Sequence, residues 1–166
     1  MSVKGFIGVM LLVLSFGAGA KEGAGPEVGQ PSPNIMGRTL DDNSYRLKSD
    51  KGQAKVINFF SVTCVPCRKE MPELASLEKQ YKEVKFISVH TEEVKAEVVA
   101  EFVKKLPGAP SNIVLTSGGL KEAFHFLGLP HTIVLDSDNI VLMNLVGYTP
   151  DNMQRLRKKL QLLTKH

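Results

Sequence analysis

Cys64 and Cys67, the only two cysteines in the chain, close an apolar run, Val56-Ile57-Asn58-Phe59-Phe60-Ser61-Val62-Thr63, and enclose Val65 and Pro66. A Cys-x-x-Cys pair at a strand-to-helix junction makes a dithiol that can cycle with a disulfide. The first cysteine is expected where a helix begins. There, unpaired N–H groups and the positive end of the helix dipole favour its thiolate. The second is expected one turn on, close enough to close the disulfide. Pro66 suits the first turn, where its missing N–H costs nothing.

Other chemistries fit the pair less well. A structural crosslink spanning two residues closes almost no loop in the unfolded chain and so stabilises little. Structural zinc wants four ligands, and only His90, His125, His131 and His166 are there to complete a site. Haem attachment needs His directly after the second cysteine, where Arg68 stands. The expectation is redox chemistry carried by the thiols themselves, with no cofactor and no metal.

The elements that must position the pair follow from the rest of the chain. Its 166 residues suggest one domain, and a hydrophobic fraction of 43% is enough for a sizeable core. The net charge of +4 is scattered, without the basic stripe of a nucleic-acid binder. Arg155, Arg157, Lys158, Lys159 and Lys165 read as the solvated face of a helix.

Residues 1–20 read as a secretory signal: Lys4, an apolar stretch from Phe6 to Phe16, and Ala18-Gly19-Ala20 before the cut. The stretch is short for a transmembrane helix, and retention as an anchor is the alternative. The mature protein would then be periplasmic or otherwise secreted, where a lone Cys pair meets oxidants and partners must maintain its redox state. Residues 21–33, rich in Gly and Pro, read as a flexible lead-in. The domain proper is expected over 34–166.

Arg38 to Lys48 suggests a hairpin turning at Asp41-Asp42-Asn43. Ala54 to Ser61 reads as a strand buried on both faces. A helix is expected from about Cys64 to Lys82, with Met71, Leu74, Leu77 and Tyr81 on one face and a kink at Pro72. Strand Val84–Val89 and helix Glu92–Lys105 follow, the latter with Val94, Val98, Phe102 and Leu106 in register. Then come an extended piece at Ile113–Leu115, a short helix Leu120–Phe126, and strands Thr132–Leu135 and Ile140–Val146. A last helix is capped by Thr149, starts at Pro150, and is lined by Met153, Leu156, Leu160 and Leu163. This order implies an α/β fold, a mixed sheet with helices on both faces.

From about Pro31 onward these residues resemble the thioredoxin superfamily. More narrowly, they are similar to the secreted TlpA/ResA/CcmG-type thiol-disulfide oxidoreductases. The strongest segment is Val56 to Phe60 leading to Cys64-Val65-Pro66-Cys67-Arg68-Lys69-Glu70-Met71-Pro72. The resemblance implies a thioredoxin-like fold with the hairpin as an N-terminal extension. Pro72 matches the proline that follows the second cysteine, and Pro130 the cis-proline facing the disulfide. Asn58 stands where thioredoxins carry a buried Asp, and Glu70 matches the subgroup's glutamate. A carboxyl group near a buried thiol can accept its proton, and desolvation raises its pKa toward the working range. The other reading of Glu70 is a solvated residue paired with a basic neighbour.

Two departures stand out. Thr63 replaces the usual Trp, and the chain has none. His131 follows Pro130, where a small or β-branched residue is commoner. Approaching Cys64 while protonated, it would favour the thiolate and tune the potential; otherwise it is an exposed strand-entry residue.

The resemblance implies that Cys64 attacks a substrate disulfide, Cys67 resolves the mixed disulfide, and Glu70 assists proton transfer. Thr63, Val65, Pro66, Leu129 and Pro130 would line the substrate groove, with the Leu129 backbone pairing to an extended segment. It implies disulfide-containing secreted clients such as apocytochrome c, a membrane thiol donor for re-reduction, and a monomer. A DsbA-like oxidant is the same chemistry reversed, but the long helical insertion is lacking. A peroxiredoxin would need Pro where Ile57 stands. A Cu(I) metallochaperone on this fold suits thiolates, although such relatives space their cysteines by three residues.

Overall fold

The structure, a computed structural model, describes residues 25–116 and 118–165. The expected signal over 1–20 lies outside the described residues. Among those described, no helix is long and apolar enough to cross a membrane.

At the centre is β3 (Lys55–Phe60), in which all six residues are buried. Its Val, Ile and Phe side chains suit a pleated surface covered on both sides. Strand β4 (Lys85–His90) pairs parallel to it and β6 (His131–Leu135) antiparallel. The remaining strands are β1 (Met36–Thr39), β2 (Ser44–Arg46), β5 (Asn112–Leu115) and β7 (Val141–Val146), giving the order β2-β1-β5-β4-β3-β6-β7. The expected hairpin is β1–β2, joined to the sheet by the antiparallel β1–β5 pair.

Helices α1 (Cys67–Gln80), α2 (Ala96–Lys104) and α4 (Pro150–Leu163) lie on one face; α3 (Leu120–Phe124) lies on the other. Strand alternation divides β3 between these faces. Val56 packs with Leu74 and Leu77 of α1 and Leu156 and Leu160 of α4. Phe60 packs with Cys67, Met71, Val99 and Phe102. Ile57 and Phe59 point the other way, toward Leu120 and Phe124 of α3. This is the mixed sheet with helices on both faces that the sequence implied.

Three local differences have physical causes. Helix α1 starts at Cys67 instead of Cys64, because Val65 and Pro66 form the turn that feeds it. Helix α2 starts at Ala96, and its inner stripe is Val99 and Phe102, while Val98 is 47% exposed. The three-residue spacing, and not the four-residue one, selects the face that docks. Helix α3 stops at Phe124, and His125, with φ of 49°, is the left-handed residue that ends it.

The expected flexible lead-in also differs from what is found over its described part. Gly29 donates to Val141 O at 2.8 Å, Val141 to Gln30 O at 2.9 Å, and Ser32 to Asn139 O at 2.9 Å. Residues 29–32 thus run beside the open edge of β7, with Pro31 bridged antiparallel to Ile140. An edge strand's unpaired groups offer the hydrogen bonds that composition alone does not reveal.

Candidate active site

The two cysteines are disulfide-bonded, with their Cα atoms 5.3 Å apart. Strand β3 delivers the loop 61–66, and α1 takes up the chain at Cys67. The backbone N–H of Cys67 donates to Cys64 Sγ at 3.2 Å, so this sulfur occupies the mouth of the helix. Arg68 donates to Val65 O at 3.2 Å, and Glu70 to Pro66 O at 3.1 Å, closing the first turn. Cys64 is half-buried; Cys67 is fully buried against Phe60 and Met71. The first cysteine is therefore partly exposed and the second is not.

Glu70 lies one turn beyond Cys67 on the same helix face. It is only 3% exposed. Asn58 Nδ2 donates to its Oε2 at 2.6 Å, and Thr132 Oγ1 donates to its Oε1 at 3.1 Å. Asn58 Nδ2 also donates to Thr132 Oγ1 at 3.1 Å. The β3–β6 register makes this triangle, since Asn58 pairs directly with Thr132 and both point toward α1. Burial pushes the Glu70 carboxyl up to about 7, against the two hydrogen bonds that favour its ionised form; the charge of Glu73 adds to the rise. Asn58 Oδ1 is buried without a partner. Glu70 is thus not the solvated residue of the alternative reading. Thr132 was missed by sequence reasoning; its only signal was its place in the strand after Pro130.

The Leu129–Pro130 peptide is cis, as the resemblance implied. Pro130 O accepts from Gly147 N–H at 2.8 Å, which fixes the entry to β6. Leu129 is half-buried and packs on the cluster that holds both cysteines. Thr63, Val65 and Pro66, which flank Cys64 in the chain, are exposed, Val65 at 66%. Thr63 donates its N–H to Ser61 Oγ at 3.2 Å, and the two hydroxyls are 2.8 Å apart. Ser61 Oγ donates to Glu92 Oε2 at 2.9 Å.

Two histidines depart from expectation. His131 is fully buried, not exposed. It pairs with Phe59, so alternation turns it away from Glu70 and toward α3. Its ring lies 5.1 Å from Phe126 and 6.3 Å from Phe59, and Nε2 is 3.4 Å from Asn144 Oδ1. Burial holds its pKa below the ordinary imidazole value, only partly offset by Asn144. A neutral imidazole on this face brings no charge to Cys64, and the structure does not join His131 to the disulfide. His90, which the sequence marked only as a strand end, is instead buried beneath the cysteine loop; Val62 N–H donates to its Nε2 at 3.3 Å.

Among the described residues no group of three or more His, Cys, Asp or Glu side chains is placed to hold a metal ion.

Comparison with known proteins agrees with this geometry. The Redoxin family model matches residues 27–160. The thiol-disulfide oxidoreductase ResA of Bacillus thuringiensis subsp. konkukian is 28% identical over 137 residues, covering 81% of this chain and 79% of its own. ResA of Halalkalibacterium halodurans is 30% identical over 125 residues, covering 73% of this chain and 70% of its own. A thiol:disulfide interchange protein of the thioredoxin family from Chlorobium tepidum TLS shares the fold, with a TM-score of 0.67 at 23% identity, over 83% of this chain and 98% of that one. With an accessible cysteine, a buried partner and these relatives, the chain belongs to the Redoxin family and is a thioredoxin-fold thiol-disulfide oxidoreductase acting on disulfide-containing substrates.

Proposed function

We propose that this protein works outside the cytoplasm as a reductase of protein disulfides. Reduced Cys64 attacks a client disulfide as the thiolate; one client sulfur leaves and takes a proton, and a mixed disulfide forms. Cys67 then attacks Cys64 Sγ, the second client thiol leaves, and the Cys64–Cys67 disulfide remains. Client gains two electrons; protein loses two. Cys67 is buried away from bulk solvent, and Glu70, one turn on, accepts its proton.

The observation that carries the reading is the Glu70 carboxyl, buried one turn from a buried cysteine and pushed up to about 7. A group with that pKa is half ionised near neutral pH and can both take and return the proton. Exposed Val65 beside Cys64 supports docking of an extended client segment, with the Leu129 backbone next to Pro130 offered for pairing. The leader-like sequence over 1–20 supports an extracytoplasmic site, the ResA-named relatives support a disulfide-containing client, and the resemblance to the TlpA/ResA/CcmG type implies secreted clients such as apocytochrome c. A membrane thiol donor would restore the dithiol, and the protein would act as a monomer.

The test is turnover of a protein disulfide by the reduced protein under continuous re-reduction. Wild type turns over and Cys64→Ser does not. Equal rates for the two would remove Cys64 from the reaction.

A further inference from the structure

Loop 61–63 carries Cys64 between β3 and α1 without the aromatic side chain the family usually places before the first cysteine. Polar contacts hold it instead. Val62 N–H donates to His90 Nε2 at 3.3 Å, and Val62 O accepts from Arg68 at 3.3 Å. The Arg68 guanidinium lies 5.2 Å above the Phe102 ring. Phe102 stacks on Phe60 at 5.9 Å, and Phe60 meets His90 edge-on at 5.3 Å. These contacts close a circuit, His90–Val62–Arg68–Phe102–Phe60, that grips the backbone of one residue, Val62, on both sides, two residues before Cys64.

The geometry fixes the imidazole's form. An N–H can only donate, so Nε2 is bare and Nδ1 carries the proton, which it gives to Glu92 O at 2.9 Å. Burial lowers the pKa of His90 and keeps it neutral at neutral pH, against the opposing pull of Glu92. Thr116 Oγ1 donates to His90 O at 2.9 Å from the far side. Arg68 is the charged member of the circuit, and the Glu92 carboxylate, which accepts from Ser61 Oγ, is the charge that acts on His90. A second hold runs through Ser61, which accepts the Thr63 N–H and donates to Glu92.

We propose that His90 is a positioning residue for the reaction: through the Val62 amide it sets Cys64 at the mouth of α1. This rests on reading Cys64 as the attacking thiol. Held there, its sulfur receives the Cys67 N–H and faces the helix's positive end, both of which favour the thiolate. A loop released at Val62 lets the sulfur drift from that position, and the thiolate loses this support.

The test is the pH dependence of Cys64 alkylation by iodoacetamide in the reduced full chain, read by mass spectrometry. His90→Phe keeps the ring beside Phe60 and removes the acceptor. It moves the alkylation midpoint up by about half a unit or more, roughly a threefold loss of thiolate below the midpoint. His90→Gln, whose amide oxygen can accept the Val62 N–H, restores at least half of the shift. An unchanged midpoint in folded His90→Phe, or no rescue by His90→Gln, overturns the proposal. Where circular dichroism shows His90→Phe unfolded, His90→Leu, which also lacks an acceptor for the Val62 N–H, carries the same criterion. Failure of the underlying reading has a separate signature: wild type would form its mixed disulfide through Cys67.

Discussion

The side-chain amide of Asn58 donates to the Glu70 carboxylate at 2.6 Å, joining the strand that delivers the cysteines to the helix that receives them. Glu70 therefore cannot leave the buried side of α1 without breaking a bond to β3 and another, from Thr132, to β6. In the proposed mechanism, this contact holds the carboxyl that takes the proton when Cys67 reacts.

Replacing Cys67 with Ser stops the reaction halfway. Cys64 attacks, but nothing resolves the product, so a covalent mixed disulfide with the client accumulates. Non-reducing electrophoresis and intact mass spectrometry detect it. Cys64→Ser gives no such adduct, and an adduct in both variants would mean that either sulfur can attack.

Removing the Glu70 charge changes stability in a pH-dependent direction. Its pKa is raised from 4.5 to about 7 on folding, so the folded state holds the proton more tightly. That contribution is present in full below about 4.5 and is lost as pH rises through about 7. Glu70→Gln escapes the loss. Denaturant melts should show it near wild type at pH 4 and more stable by up to about 3 kcal/mol at pH 8. The same variant slows release of client from the mixed disulfide. Equal release rates would leave Glu70 a structural residue only.

Asn58→Ala takes away a hydrogen bond that favours the ionised carboxyl. The pKa of Glu70 then climbs above about 7, and the pH at which the Cys67 step reaches half its rate climbs with it. Loss of the buried bond costs about 1–3 kcal/mol of stability. Stopped-flow measurement of client release between pH 6 and 9 reads the first effect, and a denaturant melt the second. A midpoint that stays in place would separate Asn58 from the proton transfer.

Val65 is 66% exposed beside Cys64, so its contribution is to docking and not to the core. Val65→Asp should raise KM for a protein disulfide several-fold and leave the rate with a small aliphatic disulfide near wild type. A matching loss on both substrates would place the effect on Cys64 chemistry instead of docking.

The frame of the Cys-x-x-Cys site was legible because its signals are local: a β-rich apolar run, the Cys-x-x-Cys turn, and Pro130 ahead of a strand. The β1–β2 hairpin and α4 were legible for the same reason, from Asp41-Asp42-Asn43 and from the Thr149–Pro150 cap. Features made by register were harder to read. Thr132 joins Glu70 only because β6 pairs antiparallel to β3 at Asn58, and one residue of slip would have sent His131 there instead. His90 reads as an ordinary strand end until the loop carrying Val62 folds back over β4. Residues 29–32 carry a loop-like composition, yet an unpaired edge of β7 gives them partners. Each of these depends on contacts far apart in the chain.

The direction of electron flow is the central claim, and the equilibrium reduction potential of Cys64/Cys67 against a glutathione or dithiothreitol buffer tests it most directly. A secreted reductase gives a value near or below about −230 mV, where the disulfide is the stable product. A value near about −120 mV would mean that the protein donates its disulfide, and would contradict reduction of its clients.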